Sequence, residues 1–194
     1  MKPTSRGLPI LLACVAVLAV ACTWSSADRN SPATLELRGD IEYWNDTHAA
    51  MTRLQNRMTP IAQELISIGP ALDLAELDAW ENLGSELAPV MADIYSEVLR
   101  AYILVTPPVS RDLPELYFAE TDNFGGKRTV MSAVAAAWAV GDYEATIDAY
   151  VSLFDLTETG KTIDRQRVEL ARRITNGCAQ FDIPECDGVA GATR

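Results

Sequence analysis

The sequence predicts an all-α domain, an antiparallel helical bundle of about four long, partly kinked helices. Three observations predict it. Apolar residues recur every three or four positions over most of the chain. Proline and glycine pairs cut that pattern into long blocks with short connections. No run of residues alternates convincingly in the manner of a strand.

The first helix carries Leu37, Ile41, Trp44, His48, Met51, Leu54, Met58, Ile61, Leu65 and Ile68 on one face. Pro60 lies inside it and is expected to kink or divide it near Thr59. Gly69-Pro70 ends it. The second helix opens at Asp73, with Glu76 completing a capping box. Its stripe is Leu77, Trp80, Leu83, Leu87, Val90 or Met91, Ile94, Val98, Ala101 and Val105. Pro89 is its expected kink, and Thr106-Pro107-Pro108-Val109-Ser110 stops it.

The third helix starts near Asp112, with Pro114 in its first turn, where a missing N–H costs nothing. Leu113, Leu116, Tyr117 and Glu120 carry it forward. Gly125-Gly126 is a point at which it breaks or loosens, before the alanine-rich stretch Thr129 to Val140 with Trp138. Gly141-Asp142 is a turn. The fourth helix presents Tyr143, Ile147, Tyr150, Val151 and Phe154, is interrupted at Gly160, and resumes with Ile163, Val168, Leu170, Ala171 and Ile174. Arg172 and Arg173 are expected in its last turn and Asn176-Gly177 at its C-cap. Cys178 and Cys186 form a plausible disulfide closing a short strap, worth about 2–3 kcal/mol in the chain-entropy model.

The N-terminus is of a different kind. Lys2 and Arg6 precede the apolar run Gly7 to Cys22, which is shorter than a membrane span of roughly 20 residues. Ala19-Val20-Ala21-Cys22 resembles the lipobox of bacterial lipoproteins. That resemblance implies cleavage before Cys22, lipid on its sulfur, and a membrane anchor on the extracytoplasmic side of the cell envelope. Leu18 stands one place earlier than the lipobox pattern asks, and Ala19-x-Ala21 also fits ordinary signal cleavage into a secreted protein. Cysteine usage favours the anchor: Cys14 leaves with the leader, Cys178 pairs with Cys186, and lipid accounts for the remaining thiol. The organisation expected is a signal peptide over 1–21, a flexible linker over 22–33, the bundle over 34–177, and the disulfide-closed strap with a frayed tail over 178–194.

The net charge of −11 becomes −13 once Lys2 and Arg6 are removed. A surface of that sign repels nucleic acid, so no nucleic-acid partner is expected. His48 is the sole histidine, on an apolar stripe, and reads as a partly buried residue bonded to a neighbouring helix. Without a second histidine a di-iron bundle site is excluded. Glu42 and Asp46 read as a solvated face rather than a cation site, and no metal or other cofactor is expected. Gly160-Lys161-Thr162 lacks the first glycine of a phosphate loop. No motif supplies a nucleophile with its base, so no enzyme activity is expected. Trp44, Trp80 and Trp138 lie on three helices. They read as core, with a pocket formed together with His48 as the alternative. Gly141 to Tyr150 resembles the second-helix start of a tetratricopeptide repeat, in a single copy. The likeness implies a tight helical hairpin with small residues at its contact. The chain also resembles the broad set of uncharacterised bacterial lipoproteins with an all-helical mature domain. The functional expectation is a lipid-anchored envelope protein acting as a non-catalytic docking or interaction module, with an envelope protein as possible partner. The alternative is binding of a hydrophobic small molecule or lipid between the helices.

Overall fold

The computed structural model describes residues 31–68, 80–105 and 112–189. Among them are four α-helices and no strand. The expected leader, Cys22, the expected linker up to residue 30, Gly69-Pro70, the expected cap at Asp73 and Glu76 and the expected stop over Thr106–Ser110 all lie outside the described residues.

Helix α1 spans Pro32–Ile68. Ser31 serves its first turn, accepting from the Thr34 N–H at 3.2 Å through Oγ and from the Thr34 hydroxyl at 2.8 Å through its carbonyl. The helix is not divided at Thr59. It runs through Pro60, which is exposed, although proline offers no N–H to the carbonyl four residues back. A π-helical turn, Asn82–Leu87, leads into α2, Ala88–Ile103. The irregularity expected at Pro89 therefore appears just upstream: the Ala88 N–H donates to the Leu83 carbonyl five residues back. Pro89 itself sits harmlessly in the first turn of α2. Of the two alternatives for its stripe, Met91 is buried and Val90 exposed.

Helix α3 spans Leu113–Ala139, with Asp112 before it and Pro114 in its first turn. It passes through Gly125-Gly126 without a break. Gly141, at φ +74°, makes the turn that glycine tolerates best. Asp142 then caps α4, Tyr143–Gln180, by accepting from the Ala145 N–H at 3.0 Å. Helix α4 is continuous. Gly160 does not interrupt it, because the space its side chain would fill is occupied by a neighbour: a Cβ there would lie 3.1 Å from Lys127 Nζ. Gly126 likewise admits Leu156. The expected C-cap at Asn176-Gly177 is also absent. Gly177 lies within the helix, where a Cβ would come within 2.7 Å of Leu37, and Arg172 and Arg173 are two turns short of the end. The helix stops at Phe181, in extended conformation.

The helices pack in a ring, α1 against α2 and α4, and α3 against α2 and α4. The bundle is antiparallel, so the start of α1, the end of α2, the start of α3 and the end of α4 meet at one end. There Leu37, Ile41, Tyr43, Leu113, Leu116, Leu170 and Ile174 form one apolar cluster. Trp80, Leu83, Met91, Phe124, Met131 and Val134 belong to a second and larger one. Cys178 and Cys186 are disulfide-bonded. The strap they close, including the 3-10 turn Pro184–Gly188, folds back on α1. Arg38 pairs with Glu185 at 3.0 Å, Asn45 donates to the Gly188 carbonyl at 3.2 Å, and Ile183 is buried in the smaller cluster.

Candidate functional site

A buried charge pair sits where the two clusters meet. Glu120 on α3 is 0% exposed and Arg167 on α4 is 7% exposed. Arg167 Nη1 donates to Glu120 Oε1 at 2.7 Å. The Tyr43 hydroxyl of α1 donates to the other carboxylate oxygen. Thr47 Oγ1 and the Tyr102 hydroxyl lie 3.3 and 3.4 Å from Arg167 Nη1. The Arg167 guanidinium also lies over the Trp44 ring, 5.0 Å from its centroid. Each of the four helices thus contributes at least one side chain. Thr47 completes its own bonding by donating to the Tyr43 carbonyl at 2.9 Å.

The electrostatics follow from burial. Removing two charges from water costs several kcal/mol per ion, and close pairing with further hydrogen bonds is what offsets it. Burial works against the Arg167 charge, yet Glu120 beside it prevails and the guanidinium pKa lies above its ordinary value. Burial is the leading cause that raises the Tyr43 and Tyr102 phenols, followed by the neighbouring Glu120 charge. Both therefore remain protonated donors. A second charged cluster ties the end of the bundle. Arg173 bonds both oxygens of Asp112 at 2.9 and 2.7 Å and pairs with Asp40 at 3.2 Å. Burial raises the Asp40 pKa, with Arg173 opposing.

Of the residues singled out from sequence, Trp44 and His48 meet, and Trp80 and Trp138 lie apart from them. Trp80 is buried in the larger cluster, edge-on to Tyr150 at 5.8 Å. Trp138 packs against that cluster and meets Tyr143 at 5.1 Å. A Cβ on Gly84 would lie 2.3 Å from the Trp138 ring, so the π-helical turn receives that indole. Trp44 is in the other cluster, beneath Arg167. His48 stacks obliquely on Trp44 at 5.7 Å and bonds Thr52 Oγ1 at 3.3 Å. Its partner is therefore on its own helix and not on a neighbouring one. Glu42 and Asp46 are exposed. Among the described residues no group of three or more His, Cys, Asp or Glu could hold a metal ion, and no helix is long and apolar enough to cross a membrane.

Among the described residues, two of the surface grooves stand out, and neither of these includes Trp44, His48, Trp80 or Trp138. One, of about 260 Å³, runs between α1 and α2. Arg53, Arg57, Glu97 and Arg100 ring it, and half-buried Leu54 and Ala101 form part of its floor. The other, of about 340 Å³, lies between α3 and α4 and mixes Asp112, Arg165, Glu169 and Arg173. The chain matches no family model, and no curated protein or solved structure shows significant similarity to it.

Proposed function

We propose that this chain is a lipid-anchored, extracytoplasmic cell-envelope protein whose helical bundle is a non-catalytic docking module. The anchor reading rests on the N-terminal residues and on Cys22. The docking reading is carried by one observation: the interior charge pair and the hydroxyls around it are engaged with one another, while the buried Trp80 indole Nε1 has no hydrogen-bond partner among the described residues. Glu120, Arg167, Tyr43, Tyr102 and Thr47 are mutually engaged in the interior. The tryptophans are engaged in packing, at separate places. What the domain offers another molecule is therefore its surface. The alternative, a hydrophobic ligand held between helices by Trp44, Trp80 and Trp138, loses support because these rings face different neighbours.

The test is crosslinking in the organism that encodes the chain, with the tagged protein on its native N-terminus and a Cys22→Ser control. The expected outcome is one dominant protein captured by the wild type and lost in the control. Capture of no specific protein, with a small molecule co-purifying instead, would overturn the docking reading.

A further inference from the structure

We propose that the groove between α1 and α2 docks an acidic segment of a protein partner, its carboxylates pairing with Arg53 and Arg100 and an apolar side chain resting on Leu54 and Ala101. The inference rests on the docking reading and names the surface and the partner chemistry.

The groove is an electrostatic exception. The chain as a whole carries a net charge of −11, yet three of the four charged side chains around this groove are arginines. Only Arg57 is paired, with Glu97. Among the described residues Arg53 and Arg100 form no ion pair or hydrogen bond. Arg53 and Arg57 are four apart on one helix, a like-charge spacing that costs about 0.2–0.5 kcal/mol. Helix stability alone would not place them so.

Glu97 reports what the groove favours. Its carboxyl lies below the ordinary range, first through the Arg57 hydrogen bond, then through the charges of Arg57, Arg100 and Arg53. A carboxylate is thus the group this ring of guanidiniums stabilises, and two of the three remain to receive another. Guanidinium forks match carboxylates in bidentate geometry.

Size and field select among anionic occupants. At about 260 Å³ the groove is smaller than the roughly 300–1,000 Å³ of small-molecule pockets. It suits a few side chains of a larger partner. An anionic bilayer would confront the acidic remainder of the domain as well as the groove, and screening over about 8 Å does not remove that repulsion at close contact. A single acidic segment meets three arginines and one carboxylate, Glu97, which is already paired with Arg57.

The test places a photo-crosslinking residue at exposed Ala49, beside the groove, and in a second strain at exposed Ser152 on α4. The full chain is used in the encoding organism, with and without Arg53→Glu and Arg100→Glu. These surface changes are checked for unchanged helicity by circular dichroism. The expected result is one protein captured at Ala49, joined through a peptide rich in Asp or Glu beside an apolar residue. Charge reversal should cut that capture about tenfold or more, and converting the partner's acids to Lys should restore it. Equal capture despite reversal, or capture confined to Ser152, would overturn the groove and leave the docking reading standing. A lipid adduct at Ala49 would overturn the protein partner in favour of a membrane. No protein at either position would overturn both.

Discussion

Arg167 and Val168 are neighbours on α4 with opposite fates. Arg167 is buried, whereas Val168 is 69% exposed. Apolar character alone puts Val168 in the stripe, and register puts Arg167 there: it follows Ile163 by four and precedes Leu170 by three. Glu120 is the matching case, four residues from both Leu116 and Phe124. Two opposite charges on the apolar register of two helices were the available sequence signal for the buried pair. The same effect turns α1 by one residue, so that Thr47 is fully buried while His48 is half-buried. Polar groups are buried when partners await them, and those partners come from other helices, which spacing along one helix does not reveal. A titration follows at this scale. Burial raises Tyr95 to about 12 and also raises Tyr43 and Tyr102. A raised folded pKa means stability that is complete below the unfolded value of about 10 and is lost as pH climbs above it. In an absorbance titration these three phenols should ionise only as the helical dichroism collapses. Their ionisation in a domain that remains helical would contradict the burial.

At the scale of elements, helix positions, the start of α3 at Asp112 and the Gly141-Asp142 turn were legible, and the C-terminal end of α4 was not. Gly125 read as a break or a loosening, Gly160 as an interruption and Gly177 as part of a C-cap, yet all lie inside helices. Two of them are small for contact: Gly160 faces Lys127 and Gly177 faces Leu37. A glycine inside a helix can serve to admit a neighbour, and the sequence does not show what packs. The glycines therefore separate under substitution. A Cβ on Gly125 would meet nothing within 4 Å, so Gly125→Ala should stabilise by about 0.5–1 kcal/mol through helix preference. Gly84→Ala drives a methyl into the Trp138 ring and should destabilise by about 1–3 kcal/mol. Urea unfolding of the two variants checks both signs. The strap is the remaining element. Cys178→Ser with Cys186→Ser should cost about 2–3 kcal/mol. The loosened segment should show in faster amide exchange of Ile183, which is buried beside α1.

At the scale of the molecule, the all-α antiparallel bundle was readable because period and connection length report directly on it. The tryptophan pocket was not readable. Three aromatic residues on three stripes can face one cavity or three separate neighbours, and only the register between helices decides. That register is held by the Glu120–Arg167 pair, which joins side chains of all four helices and lies where the two apolar clusters meet. Filling the interior in this way leaves the bundle its surface to work with, and it favours docking over ligand capture within the bundle. The most direct test of that closed interior is a double-mutant cycle with Glu120→Leu and Arg167→Met, read by urea unfolding. Each single change strands a buried charge and should cost about 3–5 kcal/mol. The double variant removes both charges, so its cost should fall well short of the sum of the two. Costs that add would mean that the two charges do not meet in a closed interior, and would contradict the account.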